Sequence, residues 1–284
     1  MSLSSEISRI VELFQLPFMQ RAVLGGALSG LTGGLLGSFT ILRQLAFFSD
    51  ALGHASLLGI SLGVILGWDL TAIAIPFAVL FALGITYLLE KTQLWADTLL
   101  NLVYSSSLAI AVIILSFTDR YKGGLDNLLF GDILAFRTLD LYLSFGLFIV
   151  CLLFIGLTLR TQILITLNEP LAIARGVPVR LHRTIFIVLL SLVVGISIKA
   201  IGVLLISAFI VIPASASQII SRRFDVHIFL SATLGASSAV LGMLLSAACN
   251  WPSGPSIVIT QLGMFLGAAL INEIKKFSVP VTES

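Results

Sequence analysis

The sequence predicts an all-α polytopic membrane protein with about nine transmembrane helices. Hydrophobic residues make up 58% of the 284 residues, charged residues make up 11%, and the mean hydropathy is +1.10. Soluble domains carry about a quarter charged residues, so this composition requires lipid as solvent. Apolar runs close to the roughly 20 residues that cross a bilayer recur along the chain. They lie at about 18–42, 45–67, 71–89, 98–117, 139–159, 184–198, 201–220, 227–249 and 255–273.

These runs predict one transmembrane domain, 18–273, between an N-terminal interfacial segment, 1–17, and a tail, 274–284. The interfacial segment is expected to form a short helix because apolar residues recur in it at helical spacing. These residues are Ile7, Ile10, Val11 and Phe14. The sixth span is short and meets the seventh near Lys199. A tight hairpin and a partly re-entrant pair are both compatible with this spacing.

Basic loops predict the orientation, because cytoplasmic loops are enriched in Lys and Arg. The segment 160–183, Arg222 with Arg223, and Lys275 with Lys276 follow the fifth, seventh and ninth spans, which places all three inside. Counting back puts Arg43, Glu90 and Lys91 inside as well, with the 118–138 loop and the N-terminus outside. The outer loop also carries basic residues, which oppose this assignment: Arg120, Lys122 and Arg137.

Asp50 and His54 lie in the second span, where nearly all other residues are apolar. An ionisable side chain at this depth costs about 3 kcal/mol and is a functional candidate by default. The i, i+4 spacing puts both on one face, and Gly59, Gly63 and Gly67 mark the opposite face for close helix packing. Carboxylate with imidazole suits Zn²⁺, Mn²⁺ or Fe²⁺. The alternative is a mutually satisfied pair that joins two helices.

Two ligands are too few for a tetrahedral Zn²⁺ site. A symmetric dimer would bring two aspartates and two histidines to its axis, so ligand counting predicts a homodimer with a central path for the ion. The sequence contains no GxxxxGK[ST] motif, so ATP would have to be hydrolysed by another subunit.

Two other classes compete with this interpretation. An intramembrane metalloenzyme would need a ligand set such as HExxH, whereas the histidines stand apart at positions 54, 182 and 227. A secondary transporter coupled to protons or sodium remains the alternative function, although it would need further intramembrane carboxylates. His182 and His227 are predicted to be surface residues. The two cysteines, Cys151 and Cys249, show no CxxC spacing, which argues against a thiolate cluster.

Four stretches of the chain stand out together: residues 18–67 with "SDALGHASLLGISLG", "LLFGDIL" at 128–134, "GVLLISAFIVIPASAS" at 202–217 and "WPSGPSIVI" at 251–259. In this order they resemble the membrane subunits of metal-ion ABC importers, the zinc/manganese/iron permease family that includes ZnuB and MntB. Gly53 and Asn250 depart from the residues common in the family, Ser and Asp.

The resemblance implies a type II importer permease in a bacterial cytoplasmic membrane, not itself an enzyme. It implies a homodimer, cytoplasmic ATPase subunits and an extracytoplasmic metal-binding protein as partners, with Asp50 and His54 lining the metal path. The divalent ion, zinc, manganese or iron, is then cargo rather than a resident cofactor.

The segment 166–183, "TLNEPLAIARGVPVRLHR", is the most polar long stretch. Asn168 can cap a helix beginning near Glu169 and Pro170, and Gly176 can end it. Such a helix resembles the coupling helix that contacts the ATPase; an ordinary solvated loop is the alternative. The predicted ATPase contacts are Glu169, Arg175 and Gly176.

Three smaller features complete the sequence predictions. The outer-loop residues Arg120, Lys122 and Arg137 could meet acidic residues of the binding protein or anchor the chain at the interface. Pro213 in "IPASAS" predicts a kink. The first span carries overlapping GxxxG pairs, which predict close packing within the bundle or at a dimer interface. Its glycines are Gly25, Gly26, Gly30, Gly33, Gly34 and Gly37.

Overall fold

The computed structural model describes residues 12–67, 70–92, 94–117 and 131–278. In these residues the chain forms nine long helices and one short helix, and the all-α prediction is confirmed. The helices are α1 Pro17–Leu42, α2 Ala46–Leu66, α3 Leu70–Lys91, α4 Ala96–Ser116, α5 Thr138–Leu167, α6 Glu169–Ala174, α7 Val179–Ile201, α8 Val203–Ile220, α9 Phe224–Cys249 and α10 Ser253–Ser278. A single 3-10 turn, Ile133–Ala135, precedes α5.

Each predicted span corresponds to one long helix. Over the described residues, seven helices are long and apolar enough to cross a membrane: α1, α4, α5, α7, α8, α9 and α10. The other two long helices are α2 and α3, of 21 and 22 residues. Most of the predicted interfacial segment lies outside the described residues, as do 118–130 and 279–284.

Helix α5 is longer than its apolar run predicts, ending at Leu167 rather than near 159. Its last turns are polar, but Gln162 is fully buried and hydrogen-bonded. Backbone hydrogen bonding therefore continues past the apolar segment because the polar side chains find partners inside the protein.

Helix α1 lies at the centre of the bundle, against α8 and α9. A Cβ atom added to Gly30 would lie 2.2 Å from the carbonyl oxygen of Gly235, and one added to Gly37 would lie 2.0 Å from that of Ile210. Backbones this close leave no room for a side chain. The glycines of α1 thus pack within the chain, which confirms the packing alternative for the GxxxG pairs.

We expect Gly30→Ala to destabilise the protein by about 1–3 kcal/mol, the usual cost of overpacking. Gly263 is the matched control, because it lies in α10 with nothing within 4 Å of an added Cβ atom. Gly263→Ala should instead stabilise by about 0.5–1 kcal/mol through the better helix propensity of alanine. Thermal unfolding in detergent measures both variants, and equal shifts would contradict the close packing.

The junction of α7 and α8 consists of Gly202 alone, with φ 82° and ψ 162°. Val203 then contacts Gly53, a residue well inside α2 rather than at its end: a Cβ atom added to Gly53 would lie 2.5 Å from Val203 Cγ1. The first turn of α8 therefore lies at the depth of the Asp50–His54 turn. Because α7 and α8 are each long and apolar enough to cross a membrane, the choice between a tight hairpin and a partly re-entrant pair stays a prediction.

One end of the bundle gathers the loops that the sequence predicts to be cytoplasmic. Arg43, Glu90, Glu169 and Arg183 line one cavity of about 730 Å³ there, together with residues of the α3–α4 loop. We call this end the α6 end. The structure thus places the α1–α2 and α3–α4 loops and the α6 segment together, as predicted, whereas the side of the membrane stays a prediction.

Candidate functional site

Asp50 and His54 meet one turn inside α2. His54 Nε2 lies 3.8 Å from Asp50 Oδ1, and the two side chains are 9% and 29% exposed. This separation exceeds a hydrogen bond, so the carboxylate and the imidazole face each other without being bonded. The structure confirms that the two side chains share one face, with the carboxylate on the more open side.

The imidazole of His54 is held by packing rather than by hydrogen bonds. The ring of Tyr104 in α4 meets it edge-on, with centroids 4.6 Å apart. Nδ1 is buried and has no hydrogen-bond partner in the described part of the protein. An unsatisfied buried polar atom costs about 1–3 kcal/mol and in a native structure calls for an explanation, such as an ion or a functional role.

Asp50 also contacts α8, through Ser207, whose hydroxyl donates to Asp50 Oδ1 at 3.5 Å. This long hydrogen bond is a polar link between α2 and the N-terminal part of α8. Sequence reasoning missed Ser207. Its hydroxyl in an apolar run was a weak signal, and only the fold brings it to Asp50, 157 residues away along the chain.

The described residues contain no group of three or more His, Cys, Asp or Glu side chains placed to hold a metal ion. The assignment of Asp50 and His54 as metal ligands stays a prediction. Gly59 on the opposite face of α2 packs against the ring of Phe77 in α3. Gly67 instead ends α2 with φ 68° and nothing close to it, so the predicted packing stripe does not extend to that residue.

Helix α4 carries a polar stripe on its exposed face. Asp97, Asn101 and Ser105 follow one another at i, i+4 spacing and are all exposed. Asp97 and Asn101 line an open cleft of about 700 Å³, together with Gln44, Ala46 and Phe47 at the start of α2. Polar side chains in membrane helices rarely face lipid and usually line protein or a water-filled cavity.

The predicted helix in segment 166–183 is present as α6. The Asn168 side chain accepts a hydrogen bond from the Leu171 amide at 3.0 Å, which caps the helix, and Gly176 follows its end with φ 75°. Ala172 is buried in an apolar cluster with Ile165 and Val179. This anchor holds α6 against the ends of α5 and α7.

The outer surface of α6 is accessible and partly apolar. Leu171 is 40% exposed and Ile173 is 59% exposed, and Arg175 and Gly176 are also exposed. Glu169 differs from them, because its carboxylate forms an ion pair with Arg183 at 2.5 Å. Of the three predicted ATPase contacts, Arg175 and Gly176 are therefore free to meet a partner, whereas Glu169 is engaged within the chain.

Of the three residues predicted to dock the binding protein, Arg137 is among the residues that the structure describes. Arg120 and Lys122 lie outside the described residues. Arg137 is exposed at the start of α5, where its backbone amide donates to Asp140 Oδ2 at 3.1 Å. Docking by these residues stays a prediction.

The prediction that His227 is a surface residue is wrong. It is 4% exposed, with Nδ1 at 2.9 Å from Ser217 Oγ and Nε2 at 3.2 Å from the carbonyl oxygen of Ser38. The first turn of α9 packs against α1 and α8, which buries the ring. His182 is half-buried, and its Nδ1 lies 3.3 Å from the Gln162 amide nitrogen.

Comparison with known proteins gives consistent matches over most of the chain. The family model described as ABC 3 transport family matches residues 15–272. The manganese import system permease protein ScaB of Streptococcus gordonii is 33% identical, over 88% of this chain and 89% of that protein. The high-affinity zinc uptake system membrane protein ZnuB of Haemophilus influenzae is 30% identical, over 86% of this chain and 94% of that protein.

Among solved structures, PsaBC from Streptococcus pneumoniae in complex with Fab contains a similar chain. The two chains superpose with a TM-score of 0.81 at 33% sequence identity. The match covers 92% of this chain and 95% of that chain. The helical bundle described above is therefore shared along nearly its whole length.

Proposed function

Because the chain belongs to the ABC 3 transport family, we propose that its bundle carries a manganese or zinc ion past Asp50 and His54. The protein is a multi-pass permease subunit of an ABC importer and is not itself an ATPase. The relatives named above are a manganese permease and a zinc permease. A carboxylate with an imidazole accepts either ion, and iron as well.

The observation that carries the proposal is the unbonded pair in α2. A single ion with ligand bonds of about 2.0–2.2 Å can bridge a carboxylate oxygen and an imidazole nitrogen that lie 3.8 Å apart, as Asp50 Oδ1 and His54 Nε2 do. The alternative role, a pair that joins two helices, is less well supported. Both residues are on the same helix, and the link from Asp50 to α8 is one hydrogen bond of 3.5 Å.

A second copy of the chain would complete the site. The exposed polar stripe of α4 supports this, because Tyr104 of the same helix contacts His54. The stripe itself is exposed and needs a covering other than lipid. In the proposed homodimer, the stripes of the two copies line one path. Asp50 and His54 of each copy then give the ion four ligands.

This dimer predicts cross-linking at the stripe. With Cys151 and Cys249 replaced by serine, a Ser105→Cys variant should form a disulfide-linked dimer in oxidised membranes. Leu157→Cys is the control, because Leu157 is 84% exposed on α5, whose outer face the proposal assigns to lipid. Equal dimer yields for the two variants would count against the shared path.

The remaining partners follow from the type of importer. Helix α6 would contact the ATPase subunit through Leu171, Ile173, Arg175 and Gly176. Glu169 would stabilise the start of α6 through its ion pair with Arg183. A metal-binding protein would deliver the ion at the opposite end, where the 131–137 segment and Arg137 lie. These roles place the α6 end in the cytoplasm of a bacterial cell.

The proposed function is tested by uptake into proteoliposomes that contain this chain with its ATPase subunit and binding protein. Radioactive manganese or zinc should accumulate only with ATP on the side of the ATPase. Uptake without ATP, driven by a proton or sodium gradient, would instead support a secondary transporter. Competition between the two metals then identifies the preferred ion.

A further inference from the structure

Arg43 lies in the turn between α1 and α2, three residues before α2 begins. Its Nη2 donates to the Gln162 side-chain oxygen at 2.6 Å and to the Gln162 carbonyl oxygen at 3.3 Å. Its Nε donates to Thr166 Oγ1 at 3.0 Å. Both partners are on the last turns of α5, more than one hundred residues away along the chain. Arg43 also ends α1, where its backbone amide donates to Phe39. One side chain thus fastens the α1–α2 turn to the end of α5.

Aromatic packing and hydrogen bonds hold the guanidinium of Arg43 in this place. Arg43 Cζ lies 4.6 Å from the ring centroid of Phe186 and 5.6 Å from that of Phe39, within the range of cation–π attraction. Burial, reinforced by the nearby charge of Arg183 and opposed by Glu169, lowers the pKa of Arg43 to about 10. The group therefore remains charged at neutral pH, and its three hydrogen bonds offset the loss of water.

Arg43 joins two elements that have roles in the proposed mechanism: the end of α5 leads into α6, and the α1–α2 turn leads into α2. Asn168, the cap of α6, lies two residues after Thr166. It is followed by Glu169, which pairs with Arg183 in α7. On the other side, Leu45 donates its amide to Thr40 across the turn, and Gln44 takes φ 58°. This constrained turn leads directly into α2, whose second and third turns carry Asp50 and His54.

From these contacts we infer that Arg43 is a positioning residue that couples α6 to the metal helix α2. When the ATPase subunit moves α6, the end of α5 moves with it. The hydrogen bonds from Arg43 to Gln162 and Thr166 then displace the first turn of α2. The inference rests on the proposed function, because it assigns α6 to the ATPase and α2 to the ion.

The test uses the complete complex in proteoliposomes and measures ions transported per ATP hydrolysed. Arg43→Lys keeps the charge but not the planar, bidentate donor set, and Gln162→Met removes the acceptor. We expect a ratio roughly threefold to thirtyfold below wild type in each variant, the usual range for mutations that alter coupling between sites, with ATP hydrolysis largely retained. A merely structural role would lower transport and hydrolysis together and leave the ratio unchanged.

Three comparisons complete the design. Arg223→Lys is the matched control, because Arg223 pairs only locally with Asp225 at the same end of the bundle among the contacts described; its ratio should equal that of wild type. The double variant of Arg43 and Gln162 should be no worse than either single variant if the two act as one unit. Wild-type ratios in both single variants would overturn the inference. Absence of ATP-driven uptake in the wild type would overturn the proposed function itself.

Discussion

Replacing Asp50 with Asn, or His54 with Phe, should lower ATP-driven metal uptake by about 100-fold or more. Loss of an outer-shell partner of a metal ligand already costs about 10- to 100-fold, and these two side chains are the proposed ligands themselves. Asn retains an oxygen that can accept the hydrogen bond of Ser207 but lacks the charge. Phe retains a ring against Tyr104 but lacks the nitrogen. Each variant thus removes the ligand while preserving the neighbouring contact.

This choice of variants separates the two interpretations of the pair. If Asp50 and His54 served only to hold helices together, the conservative replacements would leave transport close to wild type. Ser56→Ala is the control in the same helix, because the Ser56 hydroxyl donates to its own α2 backbone at Leu52. If both ligand variants take up metal near the wild-type rate, with equal amounts of assembled complex, then the metal path does not pass Asp50 and His54 in α2.

The sequence predicted the nine long helices because each of them contains an apolar run, and this signal is local. It also predicted α6, because Asn168 and Gly176 mark the ends of a helix whatever its surroundings. The ends of α5 and α7 were less predictable. The polar end of α5 is stabilised where Gln162 accepts a hydrogen bond from Arg43. Because Arg43 is distant along the chain, no local sequence pattern predicts that contact.

Some residues of the candidate site could likewise be predicted from the sequence, and others could not. Asp50 and His54 were predictable from spacing within one helix, since i, i+4 residues always share a face. Ser207 and Tyr104 reach them from α8 and α4, so only the packing of three helices reveals them. His227 was assigned to the surface because it lies close to the basic pair Arg222 and Arg223. Its burial depends on how α9 meets α1, which composition does not specify.

The accessible surface of α6 leads to the second large effect. Replacing Leu171 and Ile173 together with Asp should abolish copurification of the ATPase subunit. Exposed apolar side chains that become the centre of an interface each contribute about 2 kcal/mol or more when they are hot spots. Two buried, unpaired carboxylates would add a further penalty. The fold of the permease should survive, because the anchor of α6 is Ala172 with Ile165 and Val179.

A charge reversal provides a finer test of the same surface. Arg175→Glu should weaken ATPase binding if the partner presents an acidic group, and higher salt should weaken the wild-type contact in the same direction. Trp251→Asp is the control, because Trp251 is 51% exposed at the opposite end of the bundle. It should leave copurification unchanged. If the α6 double variant still binds the ATPase as tightly as this control, the partner must contact another surface of the α6 end. The proposed coupling from α6 through Arg43 to α2 would then be contradicted, because α6 would not contact the ATPase.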